Sequence, residues 1–578
     1  MTSFMRQLFS HTWFPFLLAA LSCLLLWPAI GAGFQLDDLF QHHRLLGHGE
    51  PAINLFVFYD GEAETNRARM EDGSLAWWAS ENLRHANFRY LSTLTMQLDH
   101  LLWPDSATMM HLHSLVWLAA LVIAVAKLFR ATMMPLWLAG LAALLYAVDD
   151  AHALPAVYLA NRSALIATFF GALSLLYQVK RRHGKSALFL ALSLSAAEIG
   201  LGTLAYLGAY ALCLDKGSMW QRCWRMWPQS LVFLAWATAY TVGGFGSTGS
   251  GFYLDPLHSP VEFLAMMGQR FSVLLMGQWT PIPADIAVNA SGQNAWMMLT
   301  LTVVCMLLIF IGPLIWNDRH ARYWAFGSII ALVPVLAVGP QNRLLLFVGI
   351  GAMGLLAQWL HALFARSQCL PSKVLWRYPA YLMALCLLVT HLLLAPLTGF
   401  LFLQFQDRSS QNMVSALGSI PNDSFISEQD LILVNPPEYT YLVSAIEPFL
   451  VLQGRPRPNR IRALVAGSQA MTVYRLDENT LELSLSQGLF PTQFSRYQRS
   501  SLENFIVGQR VELDGFSVEI MALNETGDPT VIRYQFEHSV QNRRLRWLRY
   551  HEGQYIGWQP PAIGEIESLE AEAGIFEN

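Results

Sequence analysis

Two adjacent carboxylates and two histidines follow the first long apolar run of the sequence. Asp37 and Asp38 are followed by His42 and His43, and the apolar run covers residues 13–32. At about 1.5 Å per residue, a helix of that length crosses a bilayer. Ionisable groups at the mouth of a membrane span commonly serve a function, although a solvated loop whose acidic residues simply end the helix gives the same pattern.

The chemistry of the Asp37/Asp38 pair follows from the closeness of its two carboxylates. They repel each other, so one member can keep a raised pKa while the other is ionised. That suits a general base that takes a proton from a hydroxyl acceptor. It suits equally a divalent cation held by oxygen ligands and bridging phosphate oxygens. The residues alone leave both chemistries open.

The composition predicts a membrane protein. Hydrophobic residues make up 54% of the 578 residues and charged residues only 13%, whereas a soluble protein carries about 25% charged residues. The 37 Lys and Arg residues do not outnumber the 41 Asp and Glu residues, so nothing indicates a nucleic-acid-binding protein. The six cysteines show no CxxC spacing, and neither a disulfide framework nor a zinc site is indicated.

Apolar runs of about 15 to 22 residues predict the membrane spans. One further segment, residues 186–214, is interrupted at residues 198–202 and is long for one helix but short for two. All Lys/Arg clusters fall on the cytoplasmic side only if this segment crosses twice or dips in and returns. The sequence therefore predicts about 11 spans with a cytoplasmic N-terminus. The uninterrupted runs are residues 13–32, 108–129, 136–148, 164–179, 229–245, 296–316, 323–338, 344–364 and 379–400.

The predicted topology places long loops and the whole C-terminal part outside. Within the first outer loop, 33–107, the apolar and aromatic spacing of residues 75–103 predicts helices that lie along the membrane interface, as does that of residues 261–279. The other outer segments are residues 149–163, 246–293 and 339–343.

The C-terminal part is polar, with short alternating stretches separated by turn residues, which predicts a β-rich domain of roughly 150 residues. The stretches are residues 431–434, 470–474, 481–485, 509–513 and 530–536. The predicted fold is thus a polytopic α-helical membrane domain, residues 1–401, followed by a soluble β-rich extracytoplasmic domain, residues 402–578.

A second acidic pair begins the second outer loop. Asp149 and Asp150 are followed by His152, while Arg89 lies in the first outer loop and Arg343 begins the tenth span. Two acidic pairs at successive outer helix ends describe a cleft that can hold a cation or a base. If a divalent cation such as Mg²⁺ or Mn²⁺ binds, the expected ligands are Asp38, Asp149 and Asp150.

Residues 87–103, the pair His111/His113 and residues 142–162, with a weaker echo at 341–347, resemble the membrane half of GT-C superfamily glycosyltransferases. The nearest branch is the protein O-mannosyltransferase-like and bacterial lipid-sugar-dependent one. The resemblance implies that Asp37/Asp38 act as a catalytic base or metal-linked group, with Asp149/Asp150 as the second acidic site. Related sequences carry a His-Pro type motif where this chain has Asp149-Asp150-Ala-His152, which leaves the role of that pair open.

The resemblance also implies the substrates. The donor would be a polyprenyl-phosphate-linked sugar that enters from the membrane lipid, and the acceptor a glycan, lipid or protein on the outer face. Asp37 or Asp38 would take the acceptor proton. Arg343 would bind the donor phosphate, because a guanidinium matches phosphate with two hydrogen bonds. Arg89 would contact donor or acceptor. A snorkelling interfacial arginine is the alternative for both.

Two other function classes stay open on the sequence. A transporter or flippase of a lipid-linked or small polar substrate would account for the break at residues 198–202. A catalytically silent membrane scaffold would leave the outer domain as the working part. The expected location is a bacterial cytoplasmic membrane, in a multi-pass arrangement with the C-terminal domain outside, because no cysteine follows Cys386 and no cleavable presequence is evident.

Overall fold

The computed structural model describes residues 3–48, 52–287, 293–492 and 494–574. It shows a helical body followed by a C-terminal β-rich domain, as the composition and the alternating stretches predict. Within the described residues the α-helices are α1 (Ser3–Ser10), α2 (Phe14–Leu25), α3 (Leu36–Leu45), α4 (Ala63–Asp72), α5 (Tyr90–Leu102), α6 (Ala107–Thr132), α7 (Leu136–Ala147), α8 (Ala153–Val157), α9 (Arg162–Val179), α10 (His183–Ala196), α11 (Gly202–Cys213), α12 (Met219–Arg225), α13 (Trp227–Val242), α14 (Pro260–Trp279), α15 (Ala284–Ala287), α16 (Gln293–Phe310), α17 (Gly312–Asn317), α18 (Arg319–Val335), α19 (Leu346–Phe364), α20 (Val374–Val389), α21 (Ala395–Gly418) and α22 (Ile446–Leu452).

Short 3₁₀ and π helices join several of these elements. The 3₁₀ helices cover Trp27–Gly31, Asp150–His152, Leu159–Asn161, Glu198–Leu201, Asn342–Leu345, Ser424–Glu428 and Phe494–Arg496, and the π helices cover Thr390–Leu394 and Tyr439–Val443. The predicted interruption of residues 186–214 is confirmed, because α10 ends at Ala196 and α11 begins only after the 3₁₀ helix Glu198–Leu201.

Several helical segments have the length and composition of membrane spans. Of the described residues, four segments are long and apolar enough to cross a membrane: Ala107–Thr132, Leu159–Val179, Asn342–Phe364 and Val374–Gly418. Helices α1 and α2, which meet at an angle of 90°, make a fifth if they are taken together. Shorter apolar helices cover Leu136–Ala147, Glu198–Cys213 and Ala295–Phe310. The count of about 11 spans stays a prediction.

Close packing between helices fixes the start of α19. The Tyr206 hydroxyl donates to the Phe347 carbonyl oxygen at 2.6 Å and accepts from the Gly351 N–H at 2.7 Å. A Cβ atom on Gly327 would lie 2.2 Å from the Tyr206 ring, so a small residue is required where α18 passes α11. These contacts hold the 3₁₀ helix Asn342–Leu345, which directly precedes α19.

The strands form three sheets. The strands are β1 (Val57–Asp60), β2 (Arg84–Ala86), β3 (Gly246–Thr248), β4 (Asp430–Leu433), β5 (Arg460–Ala463), β6 (Met471–Arg475), β7 (Thr480–Leu485), β8 (Arg510–Leu513), β9 (Phe516–Leu523), β10 (Pro529–Phe536), β11 (Leu545–His551), β12 (Gln554–Gly557) and β13 (Ile566–Leu569). The first sheet has the order β1-β2-β3 and joins residues 33–107 to residues 246–293. We keep the names first, second and third outer loop from the predicted topology for residues 33–107, 149–163 and 246–293. The C-terminal domain has a six-stranded sheet, β13-β6-β7-β10-β9-β8, and a four-stranded sheet, β12-β11-β4-β5, in which β11, β4 and β5 run parallel.

The five alternating stretches predicted from the sequence are confirmed as β4, β6, β7, β8 and β10. The division of the chain at residue 402 stays a prediction, and α21 continues through that position to Gly418.

The first outer loop and the C-terminal domain share one hydrophobic core. Trp77 and Trp78, which are 4% and 1% exposed, pack their rings against Tyr534 and Tyr439, at centroid distances of 6.0 and 5.1 Å. The prediction that residues 75–103 lie along the membrane interface as helices is therefore wrong for residues 75–86. The apolar residues among them, 75–79 and 83, fill the core shared with the C-terminal domain, and a helix begins only at Tyr90.

We expect Trp78→Ala to loosen both parts of this shared core together. Removing a fully buried indole costs about 3 to 5 kcal/mol of unfolding free energy. Thermal unfolding in detergent should show a lower Tm, and limited proteolysis should cut the first loop and the C-terminal domain at the same protease concentration. Trp316→Ala is the control, because that indole is 84% exposed. Cleavage of only one of the two parts in Trp78→Ala would contradict a shared core.

Candidate active site

Asp38 anchors the start of α3 to the second outer loop. Its carboxylate accepts hydrogen bonds from three backbone N–H groups: Gln35 at 3.0 Å, Ala160 at 2.8 Å and Leu159 at 3.4 Å. Gln35 and Asp38 also form a capping box at the N-terminus of α3. The side chain is 2% exposed. Burial raises the pKa of Asp38 to about 7, against the opposing effect of the Gln35 and Ala160 N–H groups.

Asp37 is the member of the pair that is free to act. Its backbone N–H donates to the Tyr158 hydroxyl at 3.0 Å, and its side chain is half-buried. Burial raises the pKa of Asp37, whereas the hydrogen bond from Tyr158 and the charges of Arg343 and Arg89 lower it. Successive residues of a helix point about 100° apart, so the carboxylates of Asp37 and Asp38 point in different directions.

Arg343 provides a cation that makes no ion pair with the described residues, although its charge influences Asp37 and Asp285. It lies in the 3₁₀ helix Asn342–Leu345, where its Nε donates to the Gln341 Oε1 at 2.5 Å and its guanidinium hydrogen-bonds with the Tyr253 hydroxyl. Among the residues that the structure describes, it makes no ion pair. Both contacts are to neutral groups, so the positive charge of Arg343 stays available to an anionic ligand.

Arg89, by contrast, is engaged in an ion pair. Its Nε lies 2.9 Å from the Glu198 Oε2, and the other carboxylate oxygen of Glu198 accepts the Phe88 N–H at 2.7 Å. The guanidinium carbon lies 5.1 Å from the centre of the Phe56 ring. The break at Glu198 thus has a structural partner, because its carboxylate holds the segment that precedes α5.

Three aromatic side chains that the sequence did not single out surround Arg343 and Arg89. His85, in β2, hydrogen-bonds with the Tyr497 hydroxyl of the C-terminal domain, and the Tyr253 ring centre lies 4.3 Å from that of His85. Burial, together with the charges of Arg89 and Arg343, lowers the pKa of His85 to about 3, so this imidazole is neutral near pH 7. No spacing rule connects these residues, which come from three separate parts of the chain.

The second acidic pair lies in a different pocket. This pocket lies between the C-terminal end of α14 and the π helix Thr390–Leu394. The Asp149 Oδ1 accepts the Ala151 N–H at 3.0 Å, and the His152 Nδ1 lies 2.9 Å from the Asp149 carbonyl oxygen. The Asp150 Oδ2 accepts from the Thr398 hydroxyl at 3.0 Å. Burial raises the pKa of both carboxyls, and for Asp150 the charge of Asp149 adds to that effect.

Asn342 ties this pocket to Arg343. Its side-chain amide donates to the Asp150 Oδ2 at 2.8 Å, and its backbone N–H donates to the Asp285 Oδ2 at 3.0 Å. Its Oδ1 accepts the Ala284 N–H at 2.7 Å. Three hydrogen bonds therefore fix Asn342, the residue next to Arg343.

The expected metal ligands do not form one ligand set. In the described parts of the chain, no group of three or more His, Cys, Asp or Glu side chains is arranged to hold a metal ion. The carboxylates of Asp38, Asp149 and Asp150 each already accept hydrogen bonds from protein donors. These residues do not fit a divalent cation that all three would bind.

A buried ion pair braces the helices beside the site and was not predicted. Asp99 and Arg162, both with side chains 1% exposed, place Oδ2 and Nη2 2.5 Å apart. The His113 Nδ1 lies 2.6 Å from the Asp99 Oδ1. Asp99, Arg162 and His113 belong to α5, α9 and α6, so this group of three residues connects three helices. Breaking a buried pair on one side is strongly destabilising, which identifies this group as structural.

Comparisons with known proteins give only distant structural likenesses. No family model and no curated protein matches this chain. A crystal structure of the Archaeoglobus fulgidus oligosaccharyltransferase, tethered to an acceptor peptide with the NVT sequon, aligns with 10% identity and a TM-score of 0.38 over 78% of this chain and 64% of that one. A structure of the same enzyme in complex with Zn and sulfate aligns with 11% identity and a TM-score of 0.39, over 79% and 63%. This chain therefore spans less than two thirds of the length of either structure.

We expect Asp38→Ala to destabilise the fold, because three buried backbone N–H groups lose their acceptor. The loss of unfolding free energy should be about 2 to 4 kcal/mol. Asp38→Asn keeps one acceptor oxygen and should lose less. Asp37→Ala is the matched control, since its carboxylate caps none of these groups. Thermal unfolding of the three variants in detergent measures the effect, and equal Tm values for Asp37→Ala and Asp38→Ala would contradict the anchoring role.

Proposed function

We propose that the protein is a membrane-embedded glycosyltransferase of the GT-C type, which moves a sugar from a polyprenyl-phosphate donor to an acceptor hydroxyl. Asp37 is the general base, and Arg343 binds the donor phosphate. The observation that carries the proposal is the half-buried Asp37 carboxylate within the electrostatic influence of the Arg343 guanidinium, which hydrogen-bonds with neutral groups. The likeness of residues 87–103 and 142–162 to GT-C enzymes supplies the reaction class.

The assignment of the base to Asp37 rests on what its neighbour does. The carboxylate of Asp38 is saturated by three backbone N–H groups, whereas Asp37 is only half-buried and its carboxylate accepts from the Tyr158 hydroxyl. A raised pKa makes a carboxylate a stronger base in its ionised form. The nearby arginines keep that form populated near neutral pH.

The proposed reaction is a single displacement at the anomeric carbon. The acceptor hydroxyl oxygen attacks the anomeric carbon of the donor sugar, and its proton passes to the Asp37 carboxylate. The bond between the anomeric carbon and the phosphate oxygen breaks, and polyprenyl phosphate leaves with the bond's electron pair. Arg343 stabilises the negative charge that grows on that phosphate. Inversion at the anomeric carbon is part of the proposal by analogy with the family.

A lipid-linked donor suits the position of the site. Asp37 follows the apolar helix α2 and the 3₁₀ helix Trp27–Gly31, and Arg343 begins the apolar segment Asn342–Phe364. Asp37 and Arg343 therefore both lie near ends of apolar helical segments, where we expect the phosphate of a lipid. We propose that the site and the C-terminal domain lie on the outer face, on the basis of the Lys/Arg clusters. We propose a bacterial cytoplasmic membrane because no cysteine follows Cys386.

Arg89 has a supporting role in this proposal. Because Glu198 neutralises it, it holds the segment before α5 and lowers the pKa of Asp37 without being the primary phosphate partner. The same ion pair weakens the transporter alternative, since the break at Glu198 has a structural explanation. The scaffold alternative predicts that the wild-type protein transfers no sugar in the assay described next.

We expect Asp37→Asn to slow transfer strongly while the protein folds normally. An amide cannot accept the acceptor proton, so kcat should fall about 10²- to 10⁴-fold. The measurement is transfer by the purified full chain in lipid vesicles, supplied with synthetic polyprenyl-phosphate sugars and an acceptor extract from the membrane. Asp105→Asn, at an exposed aspartate of the same loop, is the matched control. Undiminished transfer by Asp37→Asn at normal expression would rule out this base.

We expect Arg343→Gln to shift the pH dependence as well as the rate. The charge of Arg343 lowers the pKa of Asp37, so its removal raises that pKa. The acid limb of the kcat/KM profile should then move to higher pH, and kcat should fall about 10²-fold or more. Arg343→Lys keeps the charge and should retain the wild-type acid limb. An acid limb that stays in place in Arg343→Gln would show that Asp37 is not the titrating base.

A further inference from the structure

A short piece of the C-terminal domain lies between the first and third outer loops. We call residues 496–500 the bridging segment. Towards the first loop, the Gln498 carbonyl oxygen accepts the Ser80 N–H at 2.9 Å, and the Arg499 Nη1 donates to the Trp78 carbonyl oxygen at 3.0 Å. These hydrogen bonds attach the bridging segment to the residues that precede β2, the strand that contains His85.

The same segment also holds the third outer loop. The Ser250 hydroxyl donates to the Tyr497 carbonyl oxygen at 2.6 Å, and the Gly251 N–H donates to the Arg496 carbonyl oxygen at 3.0 Å. A Cβ atom on Gly251 would lie 3.0 Å from the carbonyl oxygens of Arg496 and Arg499. The loop therefore approaches the bridging segment as closely as two backbones can.

The Tyr497 hydroxyl carries this contact into the candidate active site. It hydrogen-bonds with the His85 Nδ1, and the Asn87 Nδ2 lies 3.1 Å from the His85 Nε2. Because an amide nitrogen only donates, the Nε2 accepts, and the neutral imidazole carries its hydrogen on Nδ1. His85 thus donates to Tyr497 and is locked in one orientation.

His85 in turn supports the residue that contacts Arg343. The ring of Tyr253 lies against that of His85, with centroids 4.3 Å apart, and its hydroxyl accepts from the Arg343 guanidinium. The Tyr253 ring also packs edge-on against Tyr497, at 5.7 Å. The chain of contacts runs from Tyr497 through His85 and Tyr253 to the Arg343 guanidinium.

We propose that Tyr497 is a positioning residue of the candidate active site, through which the C-terminal domain orients Tyr253 and the phosphate-binding guanidinium of Arg343. The inference rests on the function proposed above and deepens it. The C-terminal domain then builds the donor site. This differs from a separate module that binds the acceptor or a partner protein, because its influence is exerted on the phosphate.

The test is a double-mutant cycle between Tyr497→Phe and Arg343→Gln in the full chain. Two quantities are measured: the kcat/KM for the polyprenyl-phosphate donor, and the apparent Kd for farnesyl phosphate from ligand-induced shifts of Tm, which needs no turnover. Tyr497→Phe keeps the buried ring and removes only the hydroxyl. Tyr555→Phe is the matched control, because that buried hydroxyl has no hydrogen-bond partner in the described part of the chain.

We expect Tyr497→Phe to lower kcat/KM and to weaken farnesyl phosphate binding, each about five- to tenfold, with Tyr555→Phe unchanged. In the Arg343→Gln background the same change should have less than a twofold effect, since the residue that Tyr497 orients is gone. An effect of Tyr497→Phe that persists in full without Arg343 would overturn the proposal, and so would values within twofold of the wild type.

Two further measurements cover the cases in which Tyr497→Phe does not fold or the wild type transfers no sugar. If Tyr497→Phe does not fold, Ser250→Ala removes the anchor of the third loop from outside the C-terminal domain and should give the same pattern of coupling with Arg343. If the wild type transfers no sugar, the proposed function fails, and the farnesyl phosphate cycle alone decides whether Tyr497 acts on Arg343. A wild type that does not bind farnesyl phosphate would overturn both.

Discussion

The geometry of the site depends on the buried carboxylate of Asp38. By accepting N–H groups from the start of α3 and from the second outer loop at once, it fixes two segments that are 121 residues apart in sequence. Asp37, one position earlier on the helix, lies within the electrostatic influence of Arg343 and Arg89. An adjacent acidic pair thus divides into one side chain that holds the backbone and one that is free to react, which is a physical alternative to two carboxylates sharing a cation.

The fold could be predicted where local pattern decides it. Apolar runs predicted the long helices, and strict alternation predicted strands such as β7 and β10. The first outer loop was misread because burial against lipid and burial against another domain produce the same apolar sequence. Trp77 and Trp78 fit an interfacial helix by composition, but their partners, Tyr534 and Tyr439, lie in the C-terminal domain. A single sequence does not show which surface such residues meet.

The candidate site was predictable only for residues that are conspicuous by type and position. Asp37 and Arg343 stand at the ends of apolar runs, so their charges draw attention. The break at residues 198–202 left a transporter open, but in the structure Glu198 is the partner of Arg89. Tyr497, His85 and Tyr253 come together through tertiary packing of three distant segments, and aromatic residues in loops carry no periodicity that would mark them. Their role follows from the structure alone.

The central claim is that a lipid-linked phosphate binds at Arg343 with its sugar facing Asp37. The most direct measurement is an electron cryo-microscopy structure of the full chain in a lipid nanodisc with a non-hydrolysable polyprenyl-phosphonate sugar. The account predicts phosphonate oxygens within hydrogen-bond distance of the Arg343 guanidinium, and the anomeric carbon between the phosphonate and the Asp37 carboxylate. A phosphonate bound in the pocket of Asp149 and Asp150, with Arg343 still contacting only Gln341 and Tyr253, would contradict it.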